Sequence, residues 1–412
     1  MKNPILKKIT IALAAVGPGL FLIGYNIGTG SVTTMAKSGA QYGMSLFWAL
    51  FLSCVFTFIL MVAYGKMTLV TGHTALFNIK SEFKYGWLLA LYILVALIIG
   101  ELLALIGVMG IVAELLQEGI RILTGGTTVS TFWIILVISV LMYLLLWFGG
   151  YKQFEKVLTV FVVLMGLSFI VVFFMLKPDF KEIVNGMVPT VPDEPGALGL
   201  IAAMAGTTCS AAVFIMRSVV VAEKGWGISD LKNEKKDAFV SAFVMLLLSG
   251  IIMAVSAGTL HVMGLRLNNT VEMISLFEPL GGKLAALILI VGITGAGLST
   301  VFPIVLIAPW LISDYTGKPR NLKTPMYRWM IFGGLLFAFG SVFLKQQPPA
   351  LMIFSQAFQA CILPAVAIPA LILLNRKKLL GNYKANWKLN LGIIAVILFS
   401  FLTTYYAIVD LF

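Results

Sequence analysis

The chain has 412 residues, 60% of them apolar and 11% charged, with a net charge of +12. So few charges cannot cover a water-facing surface, where about 25% charged residues is usual, and the unbroken apolar runs exclude a β-barrel, whose strands alternate apolar and polar. The basic residues lie in short connections between apolar runs, so membrane topology accounts for them better than nucleic acid does.

In chain order, spans are predicted near 9–36, 44–70, 86–117, 130–149, 156–176, 198–222, 238–263, 283–313, 328–346, 349–374 and 389–411. Each is about the 20 apolar residues that a bilayer requires. One side of this eleven-span arrangement holds 21 of the 29 basic residues, among them Lys66, Lys235 and Lys388, and the other side holds seven. That bias predicts a cytoplasmic N-terminus and an external C-terminus in a bacterial inner membrane. The first span is too long for a cleaved signal peptide and lacks a small-residue cleavage site. Cys54, Cys209 and Cys361 sit inside apolar runs, with no disulfide framework or zinc spacing. The proline-bearing segment 177–197 is expected as an external crossover. The expected organisation is 1–180 and 181–380 as two repeats of five spans, with 381–412 as an additional span.

Span 1 contains Tyr25-Asn26-Ile27-Gly28-Thr29-Gly30-Ser31, and span 6 contains Gly206-Thr207-Thr208-Cys209-Ser210. Gly and Thr are poor helix formers. A break in lipid leaves backbone groups to satisfy, so it is tolerated where it lines a cavity. Close packing by small residues explains either cluster alone. Their occurrence in the first and sixth spans, at corresponding positions of two halves, points instead to a transporter site near the bilayer midplane.

These breaks, with Ser38-Gly39-Ala40-Gln41-Tyr42-Gly43, Gly297-Leu298-Ser299-Thr300, Ser355-Gln356, Leu363-Pro364 and Ile368-Pro369, resemble the Nramp family of metal-ion transporters. The resemblance implies an all-α fold with a leucine-transporter-like five-plus-five inverted repeat and broken helices 1 and 6. It places Glu101 where the family has the Asp of an Asp-Leu-Ala-Glu stretch. It also shows departures. The family's metal-ligating Asp and Asn of span 1 fall on Gly28 and Ser31, its span-6 Met on Ser210, the second His of that motif on Arg217, and a span-10 Gln on Ile362. The chain thus resembles a divergent prokaryotic branch without the metal motifs, one associated with bicarbonate.

Divalent cations near a bilayer centre need hard oxygen ligands and normally a carboxylate, and the breaks carry none. Helix N-termini flanked by Gly, Ser and Thr suit anions. The leading expectation is therefore a secondary transporter of a small oxyanion, bicarbonate first and a small carboxylate next, by alternating access. Asn26, Gly28, Thr29, Gly30, Ser31, Thr207, Thr208, Cys209, Ser210 and Gln356 form the candidate substrate site. Glu101 is a candidate for proton or cation coupling, because an intramembrane acid is functional by default. Arg217 is a candidate vestibule residue that attracts anions, or a partner of Glu101 or Glu223. The alternatives are a proton-coupled Mg²⁺ or Mn²⁺ transporter and a sensor that reuses the fold. Membrane lipids are expected partners. No cofactor and no resident metal is expected, nor an enzyme, since no paired carboxylates or nucleophile–His pair appears.

Overall fold

The computed structural model describes residues 28–411 apart from 150, 177–179, 276–277, 319 and 345. Among them the chain is helical, and nine helices are long and apolar enough to cross a membrane. We number the helices by span. The second half of the first span is α1 (Thr29–Tyr42). Then come α2 (Phe47–Thr71), α3 (Gly86–Thr124), α4 (Thr131–Phe148) and α5 (Tyr151–Leu176). The sixth span is α6a (Ala197–Thr208) and α6b (Ala211–Glu223). The rest are α7 (Leu231–Ser256), α8 (Glu278–Thr316), α9 (Pro325–Phe337), α10 (Pro348–Asn375) and α11 (Trp387–Leu411). The first half of span 1, including Asn26, lies outside the described residues.

The termini of these helices follow local chemistry. Gly72 and Gly125 take positive φ after α2 and α3, ending each helix in a left-handed cap. Pro348 starts α10, where its missing N–H costs nothing, while Pro364 and Pro369 inside it each remove a helical hydrogen bond. Several helices overrun their predicted spans. α3 continues to Thr124 rather than 117, and α7 begins at Leu231 rather than 238. Hydropathy reports the apolar thickness crossed, and the helix ends only where a cap or breaker intervenes.

Burial sorts the helices by position. The sixth span is 94% buried over its most apolar stretch, against 33% for α4, 22% for the ninth span and 33% for α11. An apolar helix with so little protein cover faces lipid. The sixth span is therefore the axis of the bundle, packed by α10, α11, α2 and α1, while α3 packs on α8 and α10. Close approach at the axis depends on Gly206. A Cβ there would lie 1.7 Å from the Gln356 carbonyl oxygen of α10. The described part of the crossover, residues 180–197, is tied to the ends of α1 and α2: Trp48 donates its indole N–H to the Thr190 carbonyl (2.8 Å), and the Tyr42 hydroxyl donates to the Pro195 carbonyl (2.7 Å).

Candidate functional site

The break in the sixth span falls at Cys209 and Ser210, where Ser210 is extended (φ −67°, ψ 133°) between two helices. The sequence expects a wider break, from Gly206. Instead Gly206, Thr207 and Thr208 form the last turn of α6a. The Cys209 N–H is taken by the Ala205 carbonyl at 2.8 Å. The N-terminus of α6b caps itself, since the Ser210 hydroxyl accepts from the Ala212 N–H (3.3 Å). The backbone N–H groups of Thr208 and Cys209 are therefore inside the helical hydrogen-bond pattern. What α6a offers at the break is its carbonyl end, the negative pole of a helix whose last carbonyls lack helical partners.

α1 meets this break from the side. Gly28 is extended (φ −97°, ψ −165°) and precedes α1 without a side-chain cap. Ser31 and Thr207 join their hydroxyls at 3.0 Å, locking α1 to α6a. Thr57 on α2 donates to the Thr208 carbonyl at 2.8 Å. Between the broken segments and α3, α8 and α10 lies a cavity lined by Gly28, Gly30, Glu101, Thr207, Ser210 and Gln356. Its volume is ≈ 20 Å³, which is room for about one water.

The cavity's polar wall is connected. Gln359 on α10 donates its amide N–H to Glu101 Oε1 at 2.8 Å and accepts the Ser210 hydroxyl at 2.5 Å. A single carboxamide thus links the cap of α6b to the buried acid of α3, which is 2% exposed. Glu101 is the one ionisable side chain among the described lining residues, and no basic residue joins it.

Thr29, Ser31, Thr208 and Cys209 do not line the cavity. The buried Thr29 hydroxyl faces Gly297 of α8, whose added Cβ would come within 3.1 Å of it. Arg217 requires a correction. It is fully buried and held by two acids of α7, with Nη2 on Glu234 at 2.6 Å and Nη1 on Asp237 at 2.5 Å. It pairs with neither Glu101 nor Glu223, and Glu223 instead meets Arg320 at 2.8 Å. With two carboxylates on one guanidinium, the cluster carries no net positive field to draw in an anion.

Sequence reasoning missed Gln359, Thr300 and Met352, all at the cavity. Gln359 had a signal: it follows Gln356 by three residues on an apolar helix, so both amides share one face. Met352 had none, since a methionine on such a helix reads as packing.

A family model described as natural resistance-associated macrophage protein-like matches residues 19–410. The chain belongs to the Nramp family. It is 25% identical to the divalent metal cation transporter MntH of Staphylococcus saprophyticus, over 96% of this chain and 92% of that one. It is 26% identical to the protein of that name from Levilactobacillus brevis, covering 94% and 87%. A crystal structure of the Eremococcus coleocola manganese transporter superposes with a TM-score of 0.74 at 14% identity, covering 96% and 86%. The Mhp1 nucleobase-cation-symport-1 family transporter superposes at 0.62 and 16% identity, covering 95% and 92%. The architecture is thus that of the leucine-transporter-like, Nramp-type secondary transporters, with the sixth helix broken as the sequence indicates; the expected break in span 1 falls at the edge of the described residues.

Proposed function

We propose that this Nramp chain carries a divalent cation of the oxygen-preferring kind, Mg²⁺ or Mn²⁺, through the cavity between the start of α1 and the break in the sixth span. The observation that carries the proposal is the sign of the charge there. Glu101 is the only ionisable lining group among the described residues, no basic residue lines the cavity with it, and Arg217 is held by Glu234 and Asp237. In a low-dielectric site such a field favours a cation and opposes an anion. The printed names of the relatives, divalent metal cation transporter and manganese transporter, support the same reading. Of the N–H donors at the sixth-span break on which the bicarbonate expectation drew, those of Thr208 and Cys209 lie within the helical pattern of α6a.

The donor set is weak. It comprises one carboxylate, two carboxamides, the hydroxyls of Thr207, Ser210 and Thr300, and the Met352 thioether. Among the described residues no three His, Cys, Asp or Glu side chains gather to hold a metal. One charge supports low affinity, and room for about one water means that the cation enters this cavity with little of its hydration shell, which Mn²⁺ gives up more readily than Mg²⁺. Dissociation constants of about 10⁻⁴–10⁻³ M are expected, the weak end of the range that all-oxygen Ca²⁺ sites span as their ligand charge changes. Calorimetry with Mn²⁺ and Mg²⁺ on the parent and Glu101→Gln tests this. Loss of the heat of binding in the variant supports the reading. Unchanged binding places the cation elsewhere.

A second reading, a small oxyanion such as bicarbonate, rests on Gly28 and Gly30, which bring the uncapped N-terminus of α1 to the cavity. It requires a proton on Glu101. Bicarbonate binding that survives Glu101→Gln while Mn²⁺ fails to bind the parent would select it.

A further inference from the structure

A second cavity of ≈ 450 Å³ lies on the lysine-rich side, between α2, the start of α7 and the start of α11. The mechanism proposed above makes no use of it. Its apolar wall is Phe58, Ile59 and Val62 of α2, with Leu231 of α7 and Leu389 of α11. Its polar rim is Lys66, Lys235 and Lys388 with Tyr383 and Asn386. Residues 55, 58, 59, 62 and 66 share one face of α2. That stripe is about 16 Å long at 1.5 Å per residue, and it runs from a lipid-facing Val55 to the charged Lys66.

The charges at the rim are available. None of the three lysines forms an ion pair among the described residues. Lys66 reaches across the groove to donate to the Lys384 carbonyl at 3.0 Å, which sets its ammonium at the mouth. Glu234 also borders the cavity, but both its carboxylate oxygens are held by Arg217. Trp387, 70% exposed, stands beside Lys388 at the same level, with the ammonium 5.7 Å from its ring centroid. Exposed tryptophans of this kind mark the headgroup layer of a bilayer.

We infer that this groove holds an anionic phospholipid, its phosphate at the three lysines and an acyl chain along the α2 stripe. A cluster of lysines where spanning helices meet the membrane surface suits an acidic headgroup. The apolar wall, which a free phosphate would leave uncovered, selects the lipid over the ion. The site is independent of the substrate cavity. The lipid would sit against Glu234, so its occupancy bears on the packing of α7 against Arg217 of α6b.

The test is thermal stability of the purified full chain in neutral detergent, titrated with phosphatidylglycerol, phosphatidylcholine or inorganic phosphate. Phosphatidylglycerol is expected to raise the unfolding temperature saturably, and the other two to do so far less. Each lysine near an anionic headgroup contributes about fivefold in affinity. The triple variant Lys66→Gln/Lys235→Gln/Lys388→Gln should therefore need roughly a hundredfold more lipid. A control triple of exposed lysines, Lys224→Gln/Lys318→Gln/Lys378→Gln, should respond as the parent does. The single variant Lys388→Glu, at the rim, repeats the test if the triple fails to fold, and should also weaken the response. The inference is overturned if phosphatidylcholine matches phosphatidylglycerol, if phosphate alone reproduces the shift, or if groove and control variants respond alike.

Discussion

Gln359 shows how one side chain organises the cavity. Its amide faces an acid on one side and a hydroxyl on the other, with Oε1 accepting from Ser210 and Nε2 donating to Glu101. Replacing it with Leu leaves a buried carboxylate short of a donor, at a cost of about 1–3 kcal/mol or more for a charged group. Gln359→Leu should lower cation uptake at least tenfold, while Gln359→Glu, which adds a second charge beside Glu101, should alter its pH dependence as well. Flux in proteoliposomes checks both, and a parental rate in Gln359→Leu would remove the link from the mechanism. Gly206 gives a second expectation at this scale. Its added Cβ would overlap the Gln356 backbone oxygen, whereas Gly258 meets no atom within 4 Å. Gly206→Ala should destabilise by about 1–3 kcal/mol, as overpacking does, and Gly258→Ala should lie near parent in a thermal melt.

Among elements, α6b meets α7 through buried charge. Arg217 sits between Glu234 and Asp237 in a fully buried cluster, and Gly65 of α2 makes room for the Glu234 carboxylate, since a Cβ there would lie 1.7 Å from Oε1. Removing one member of a buried pair typically costs about 3–5 kcal/mol, because the remaining charge is left uncompensated. Arg217→Gln should therefore reduce the yield of folded protein sharply. Arg217→Gln/Glu234→Gln/Asp237→Asn should recover most of it. Equal loss in single and triple variants would show that the cluster matters for something other than charge balance. Sequence could not supply this arrangement. Arg217 is visible as an unusual charge within a span, but its partners lie 17 and 20 residues on, past a turn that hydropathy reads only as a connection. The break beside it was legible as a Gly/Thr/Ser cluster. Its exact place was not, because Gly206, Thr207 and Thr208 stay helical when α2 and α10 pack against them.

For the whole molecule, composition and periodic apolar runs sufficed for a helical membrane protein, since lipid alone can cover such a surface. Clusters of small residues in corresponding halves pointed to a transporter site, the resemblance to the Nramp family implied the leucine-transporter-like architecture, and the superposition on Nramp-type structures agrees with it. The sign of the substrate was less accessible. The loss of carboxylates at the breaks argued for an anion, yet Glu101 comes to the same cavity from α3, a contact between residues 258 apart in sequence from Gln359. Topology is the expectation that belongs to this scale. The bias of basic residues predicts a cytoplasmic N-terminus and an external C-terminus, and reporter fusions at the two ends should give opposite signals. Two cytoplasmic ends would contradict an odd number of spans.

Cation transport through the Glu101 cavity is tested most directly by flux into proteoliposomes of the parent and of Glu101→Gln. Mn²⁺, Mg²⁺ and bicarbonate would be offered in parallel, with protein-free liposomes as background. The expected result is saturable Mn²⁺ or Mg²⁺ uptake by the parent, reduced at least a hundredfold in Glu101→Gln by loss of a charge-assisted contact and of the one charge among the described lining residues, about 3 kcal/mol together. Bicarbonate flux should stay at background. Saturable bicarbonate uptake without cation uptake, or cation uptake unchanged in Glu101→Gln, would contradict the account.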